Sequence, residues 1–328
     1  LSEIEGGRAL AVQRSVSALP RIDARGDHPD SGALWLLGEE TARALGLGPR
    51  VWRTTQQAIV FTHGPDLGAA PFEATRPSRV PPEPLPWPTP IELLRDRHRP
   101  DGLALIRPVV RHLRGRADPI DDPTRRKDGR LNLLIMALPV DPVLRHADAA
   151  AAQLAAQGDE LARMAEASRL DVRIQRYRHG HSPPLLELLR EPWDIVHIAT
   201  HGDAAGQLLL PDNSLAVADD GAVRHGSAHG LVVINACWGV SVANPNTLAD
   251  LYVKLGCAAL VGPTLPVVSE AAALFSRVLY RRWFAGDALE IAVLAARTAL
   301  AQSDLQPAWP LYVQYGGLGL TANGLAGV

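Results

Sequence analysis

The chain has 328 residues, 47% of them hydrophobic, with 33 basic against 35 acidic side chains and a formal net charge of -2. That length holds one large domain or two modest ones, and the near-neutral balance argues against general affinity for nucleic acid. No apolar run reaches the roughly twenty residues that span a bilayer, and two cysteines cannot build a disulfide framework, so a soluble protein of a reducing, cytoplasmic compartment is expected. The opening Leu1-Ser-Glu-Ile-Glu has no signal-peptide pattern, and the missing initiator Met suggests a trimmed chain.

Residues 1–125 read differently from the remainder of the chain. Gly38 to Leu47 is expected as a short helix ended by Gly46 and Gly48, and Ala58 to Phe61 as a short strand. Residues 77–90 carry prolines at a density that forbids helix and central strand alike, and read as an extended linker or a surface arm. Ile91 to Arg116 reads as helical stretches broken by Pro100 and Pro108. The polar, turn-rich stretch from Asp118 to Asp128 marks the expected boundary between an N-terminal region, 1–125, of uncertain fold and role and a second domain, 126–328.

Beyond that boundary strands and helices alternate. Leu131 to Leu138 is a buried strand stopped by Pro139, Ala147 to Ala167 an alanine-rich helix, and Leu170 to Tyr177 an alternating, half-exposed strand. Pro183 opens a short helix at 185–190. The apolar runs 194–199 and 231–235 are strands, with a helix from Thr247 and a strand over 258–262 after them. Two helices, Pro266 to Phe275 and Ala288 to Leu300, precede a last strand, Leu311 to Tyr315. Such alternation implies an α/β fold with a mostly parallel sheet covered on both faces.

Two strands end at a reactive side chain. Asp194-Ile-Val-His-Ile-Ala-Thr-His201-Gly202 delivers an imidazole, and Leu231-Val-Val-Ile-Asn-Ala-Cys237-Trp-Gly239 a thiol. Sites of open α/β sheets gather at the carboxyl ends of strands. Placed side by side, these strands would pair a nucleophilic Cys237 with His201 as acid and base. His197 lies four residues before His201 and shares its strand face; with no third ligand in view, it reads as a core or supporting residue rather than a metal ligand. Cys257 reads as packing. Glu270 reads as first-turn charge at a helix start. Ile59-Val-Phe-Thr-His63-Gly64 echoes the histidine strand, but with no matching cysteine half it reads as chance.

The order strand-His-Gly, strand-Ala-Cys, helix, apolar strand and two further helices resembles the caspase-like peptidases, and within them the CHAT domain family, from about Arg130 to Gly316. The resemblance implies a caspase-like three-layer sandwich and a cysteine endopeptidase. It also implies an oxyanion hole from the backbone N–H groups of Gly202 and Cys237. By the same resemblance Asp141 and Asn235 would line the pocket for the residue before the cut, with Asp141 able to pair a basic side chain there. Asp203 and Trp238 are further candidate substrate contacts. No cofactor or metal is implied. The partners implied are a protein or peptide substrate, a gasdermin-like protein among them, and an activating partner, in bacterial defence or regulated cell death. Nucleic acid and membrane are not expected partners.

A catalytically silent interaction module with the same fold is the main alternative. A flavodoxin-like binder would want a phosphate-cradling glycine loop where Pro139-Val-Asp-Pro142 stands. A serine hydrolase would want a Gly-x-Ser-x-Gly elbow, which is missing.

Overall fold

The computed structural model describes residues 2–3, 9–11, 58–63, 103–106, 108–113, 129–138, 147–177, 188, 191–202, 207–209, 215–216, 230–240, 249, 252, 257–305 and 308–327. The expected helix at 38–47, the proline-rich 77–90 and the boundary at 125 lie outside these residues. The expected helices at 185–190 and from Thr247 lie mostly outside them.

The described strands in chain order begin with β1 (Ser2–Glu3), β2 (Ala9–Ala11), β3 (Ala58–His63) and β4 (Val109–Leu113). They continue with β5 (Arg130–Ala137), β6 (Asp171–Arg176), β7 (Ile195–Ala199), β8 (Leu208–Leu209) and β9 (Leu215–Ala216). The last are β10 (Leu231–Asn235), β11 (Ala259–Pro263) and β12 (Tyr312–Gly316). The described helices are α1 (Leu103–Ile106), α2 (Ala147–Ala167), α3 (Ser269–Phe284), α4 (Leu289–Ala301) and α5 (Ala322–Ala326). Expected and observed bounds agree closely for β5, α2, β6, β7, β10, β11 and α4. The helix expected at Pro266 to Phe275 is α3, which starts at Ser269 and runs on to Phe284.

One ten-stranded sheet runs β1-β2-β3-β4-β12-β11-β10-β7-β5-β6, and β8 pairs with β9 in a separate hairpin. β6, β5, β7, β10 and β11 are mutually parallel, as are β2, β3, β4 and β12. The two sets meet where β11 pairs with β12 antiparallel, over five residue pairs. Strands from residues 1–125 therefore extend the same sheet as those of 126–328. The fold is α/β and mostly parallel, with helices flanking the sheet. The helical stretch expected over 91–116 is partly strand: Val109 to Leu113 follows Pro108 with β-branched residues suited to a pleat, and β3 and β12 pair with it on its two sides.

Period-two alternation sorts the core onto two faces. Leu131, Leu133, Ile135, Ile195, Leu231, Val233 and Val261 point to one side and pack against α2, α3 and α4. Leu134, Met136, Val196, Ile198, Val232, Ile234 and Leu260 point to the other, against Leu188, Trp193, Ala249 and Tyr252. β7, β10 and β11 are buried throughout, which is why their sequences run apolar without alternation. β6, at one edge, keeps the alternating pattern expected of a half-exposed strand.

The turn after β10 is clamped onto β11. Val240 donates its N–H to the Pro263 carbonyl at 3.1 Å, and a Cβ on Gly262 would stand 2.1 Å from Val240 Cγ2 and 2.3 Å from the Ile234 carbonyl oxygen. Gly262→Ala is therefore expected to cost about 3 kcal/mol, measured by urea denaturation. A loss within experimental error would show that β10 and β11 do not need this close approach.

Candidate active site

β7 and β10 pair in parallel from Ile195↔Leu231 to Ala199↔Asn235. His201 and Cys237 each stand two residues beyond that last pair, on neighbouring strands at their carboxyl ends. Both are half-buried. The chain after His201 is pressed onto the chain carrying Cys237: a Cβ on Gly202 would lie 2.0 Å from the Cys237 carbonyl oxygen. Only a residue without a side chain tolerates that approach. Gly202 also bridges to Leu208, so the β8–β9 hairpin returns to the same spot.

Ala236 opens a tight turn with Cys237 second in it, closed by Gly239 N–H donating to the Ala236 carbonyl at 2.9 Å. Trp238, at the third position of that turn, has φ +60°, the only positive φ among the described non-glycine residues. That position usually takes glycine, and a left-handed backbone costs a larger residue about 1–2 kcal/mol. The strain is held in place by the Val240 clamp, and it turns the chain sharply away just past the thiol. The Cys237 Sγ donates to the Val267 carbonyl at 3.6 Å, so the residues leading into α3 cover the sulfur from one side. Next to them Val268 is 44% exposed, the one exposed large hydrophobic among the described residues.

Burial sets the resting charge state. It pushes the Cys237 thiol up, with backbone hydrogen bonding at Val267 and at Cys237 itself pulling the other way. It pulls the His201 imidazole down. Both shifts favour the uncharged forms, a neutral thiol at Cys237 and a neutral imidazole at His201.

Asn235, expected at a substrate pocket, lies at the end of β10 on the face that α3 covers. Its carboxamide points into the core and is 2% exposed. Nδ2 donates to the Ala272 carbonyl at 2.9 Å and to Ser276 Oγ at 2.8 Å, and Oδ1 accepts from the Tyr312 hydroxyl at 2.7 Å. Gln157 of α2 joins the group by donating to Ser276 Oγ at 2.7 Å and to the Ala272 carbonyl at 3.3 Å. With both amide hydrogens committed, Asn235 has none left for a substrate. The physical reason is the alternation itself: the face that β10 shares with Cys237 is the face that α3 covers. Asp141 and Asp203 lie outside the described residues. Trp238 stands beside the thiol, half-buried. Glu270 sits exposed in the first turn of α3 and accepts from Gln153 at 2.9 Å, in keeping with the helix-start reading.

Sequence reasoning missed Gln157, Ser276, Tyr312 and Val267. A signal existed for the first two. Gln157 falls between Leu154 and Leu161, and Ser276 between Ala272 and Leu279, polar residues on otherwise apolar helical faces. A backbone carbonyl such as that of Val267 leaves no trace in a sequence.

His197 is wholly buried on β7, with Nδ1 3.1 Å from the Tyr280 hydroxyl and its ring edge-on to the Tyr280 ring. Burial lowers it to about 3. It is a core residue packed under α3, and among the described residues no three metal-ligating side chains cluster.

The CHAT domain profile matches residues 53–315. The chain belongs to the CHAT domain family. The match begins well before residue 126, consistent with N-terminal strands that continue the CHAT sheet. Among solved structures, the complex of Porphyromonas gingivalis gingipain R pro- and mature domains has a TM-score of 0.51 at 9% identity, covering 89% of this chain and 70% of that one. The Arg-specific cysteine proteinase gingipain R alone gives 0.47 at 8% identity, covering 89% and 68%. The Saccharomyces cerevisiae separase–securin complex gives 0.41 at 13% identity, covering 65% of this chain and 14% of that one. At these identities the likeness is one of fold. A search of curated proteins found no relative. Among the described residues of this CHAT protein, no helix is long and apolar enough to cross a membrane.

Two substitutions test this geometry. Gly202→Ala is expected to abolish any reaction that needs Cys237 and to lower thermal stability, because its Cβ and the Cys237 carbonyl cannot occupy one place; a variant with wild-type melting and wild-type Cys237 reactivity would contradict the packing. For His197, the folded state resists a proton that the unfolded chain accepts below pH 6.5. This contribution is full above pH 6.5 and falls by about 1.4 kcal/mol per pH unit from 6.5 down to about 3. Urea titrations across that interval are expected to show a shallower acid slope in His197→Gln than in wild type; equal slopes would remove His197 as the cause.

Proposed function

We propose that this CHAT protein is a cysteine endopeptidase in which Cys237 is the nucleophile and His201 the acid and base. The observation that carries the reading is the contact of Gly202 with the Cys237 carbonyl, which locks the ends of the histidine and cysteine strands together. The rest is chemistry. The Cys237 thiol passes its proton to the neutral His201 imidazole as sulfur attacks the scissile carbonyl. The tetrahedral oxygen is held by the N–H groups of Gly202 and Cys237, each worth about 2.7–4 kcal/mol in comparable sites. His201 gives the proton to the leaving amine, then takes one from water as that water cleaves the thioester and frees the thiol.

A neutral resting pair suits an enzyme that acts only once engaged. The thiol's hydrogen rests on the Val267 carbonyl, so turnover begins with the sulfur turning from Val267 toward His201, and bound substrate or an activating partner would favour that turn. Exposed Val268 offers an apolar contact beside the thiol. The proposed substrate is an extended segment of a particular protein, with Asp141 and Asp203 as candidate readers of its side chains. A gasdermin-like target and a role in bacterial defence or regulated cell death are proposed from the family resemblance, and a cytoplasmic site from the low cysteine count.

The same thiol–Val267 hydrogen bond also favours a second reading, a silent interaction module in which the sulfur never leaves its resting contact. One experiment separates the two. A diverse peptide library is digested with wild type, Cys237→Ala, His201→Ala and Asp141→Asn, and the products are read by mass spectrometry. The protease reading expects wild-type cuts sharing one residue type before the bond, losses of about 10²–10⁴-fold in His201→Ala, and no cuts in Cys237→Ala. A changed preference in Asp141→Asn would assign the pocket. Cuts that survive in Cys237→Ala would sink the mechanism, and no labelling of Cys237 by a peptidyl electrophile would favour the silent module.

A further inference from the structure

Four side chains, of which the sequence singles out only Asn235, converge beneath the thiol: Gln157 from α2, Ser276 from α3, Asn235 from β10 and Tyr312 from β12. All are buried, at 6%, 2%, 2% and 0% exposure. Asn235 is the hub, touching two of the other three directly. Tyr312 is fixed a second way, its ring stacked on Phe275 of α3 at 3.6 Å between centroids. The network thus lies between the helix layer and one face of the sheet, joining β10, its second neighbour β12 and two helices.

Apolar packing would hold these elements together without this network, since it already covers the same face. It would not fix their relative height or rotation, because hydrophobic contact has no direction. Hydrogen bonds do, and a buried network with its members satisfied specifies one arrangement. What it specifies here is the position of β10's end against the start of α3. Cys237 follows Asn235 by two residues on the same strand face, and Val267, which holds the thiol, precedes by five residues the Ala272 carbonyl to which Asn235 donates. Asn235 therefore grips both sides of the thiol's resting contact.

We propose that Asn235, braced by Tyr312 and Ser276, is the positioning residue that sets where Cys237 stands relative to α3 and so keeps the sulfur within reach of both Val267 and His201. The role rests on the reading of Cys237 as nucleophile. Asn235 does not meet substrate; it acts through the strand it carries and the helix it holds.

The test uses the full chain and a peptidyl acyloxymethyl ketone, which alkylates a sulfur only when that sulfur is placed for attack. Site-resolved mass spectrometry follows Cys237, with Cys257, two residues before β11, as an internal control. The variants are Tyr312→Phe, Ser276→Ala and Asn235→Leu, with Ile234→Val on the opposite face of β10 as a packing control. The expected result is a fall in kinact at Cys237 of about tenfold to a hundredfold with unchanged KI, unchanged Cys257 labelling, and little change in Ile234→Val. Ser276→Thr, which restores the hydroxyl, is expected to return kinact toward wild type. Should Asn235→Leu fail to fold, the near-isosteric Tyr312→Phe carries the test. Equal kinact in wild type and the network variants, or a fall matched by Ile234→Val, would overturn the positioning role while leaving the protease reading intact. Wild type left unlabelled at Cys237 would overturn the protease reading and this role with it.

Discussion

The arrangement of the whole site depends on one close approach, the Gly202 backbone lying against the Cys237 carbonyl. Parallel pairing of β7 with β10 brings two strand ends to the same level, but strands diverge past their last hydrogen bond. The missing side chain at Gly202 lets the two chains stay in contact for the residues that matter. That contact holds the backbone after His201 against the backbone at Cys237, and the β8–β9 hairpin returns to Gly202 through Leu208. The sharp turn at Trp238 in its own right needs Gly262, whose bare backbone admits Val240 over β11.

Polar groups in the core serve the same placement. The sheet around the site is built from residues with no directional preference, valine, isoleucine and leucine, on β7, β10 and β11. Against that background the Gln157–Ser276–Asn235–Tyr312 group is the one described place where hydrogen bonds tie four elements together on the face below the thiol. Burial then acts on charge, favouring neutral thiol and neutral imidazole alike. Position and charge are handled separately: hydrogen bonds fix where the groups stand, and desolvation fixes what they carry at rest.

Much of the fold is legible in the chain. Long apolar runs ending at His201 and Cys237 mark the strands, and periodicity places α2 and α4 almost to the residue. The family likeness is carried by His201-Gly202 and Ala236-Cys237 together with the elements after them. Two things are hidden. Asn235 shares a strand face with Cys237, which from sequence alone is as compatible with a cleft as with a core; the helix that covers that face comes from residues more than thirty positions later. Val109 to Leu113 reads as part of a helical stretch because Pro108 interrupts an amphipathic run. What makes it a strand is pairing with β3 and β12, and β12 lies about two hundred residues away in sequence.

The antiparallel contact of β11 with β12 has a directional outcome. Strands on the two sides of that contact run opposite ways, so the carboxyl ends of β3 and β4 open at the end of the sheet opposite to the carboxyl ends of β7 and β10. The echo Thr62-His63 thus lies at the opposite end of the sheet from Thr200-His201. Anything that grips the far rim cannot plug the thiol's mouth; its influence would have to travel along the sheet, by way of β4 and β12.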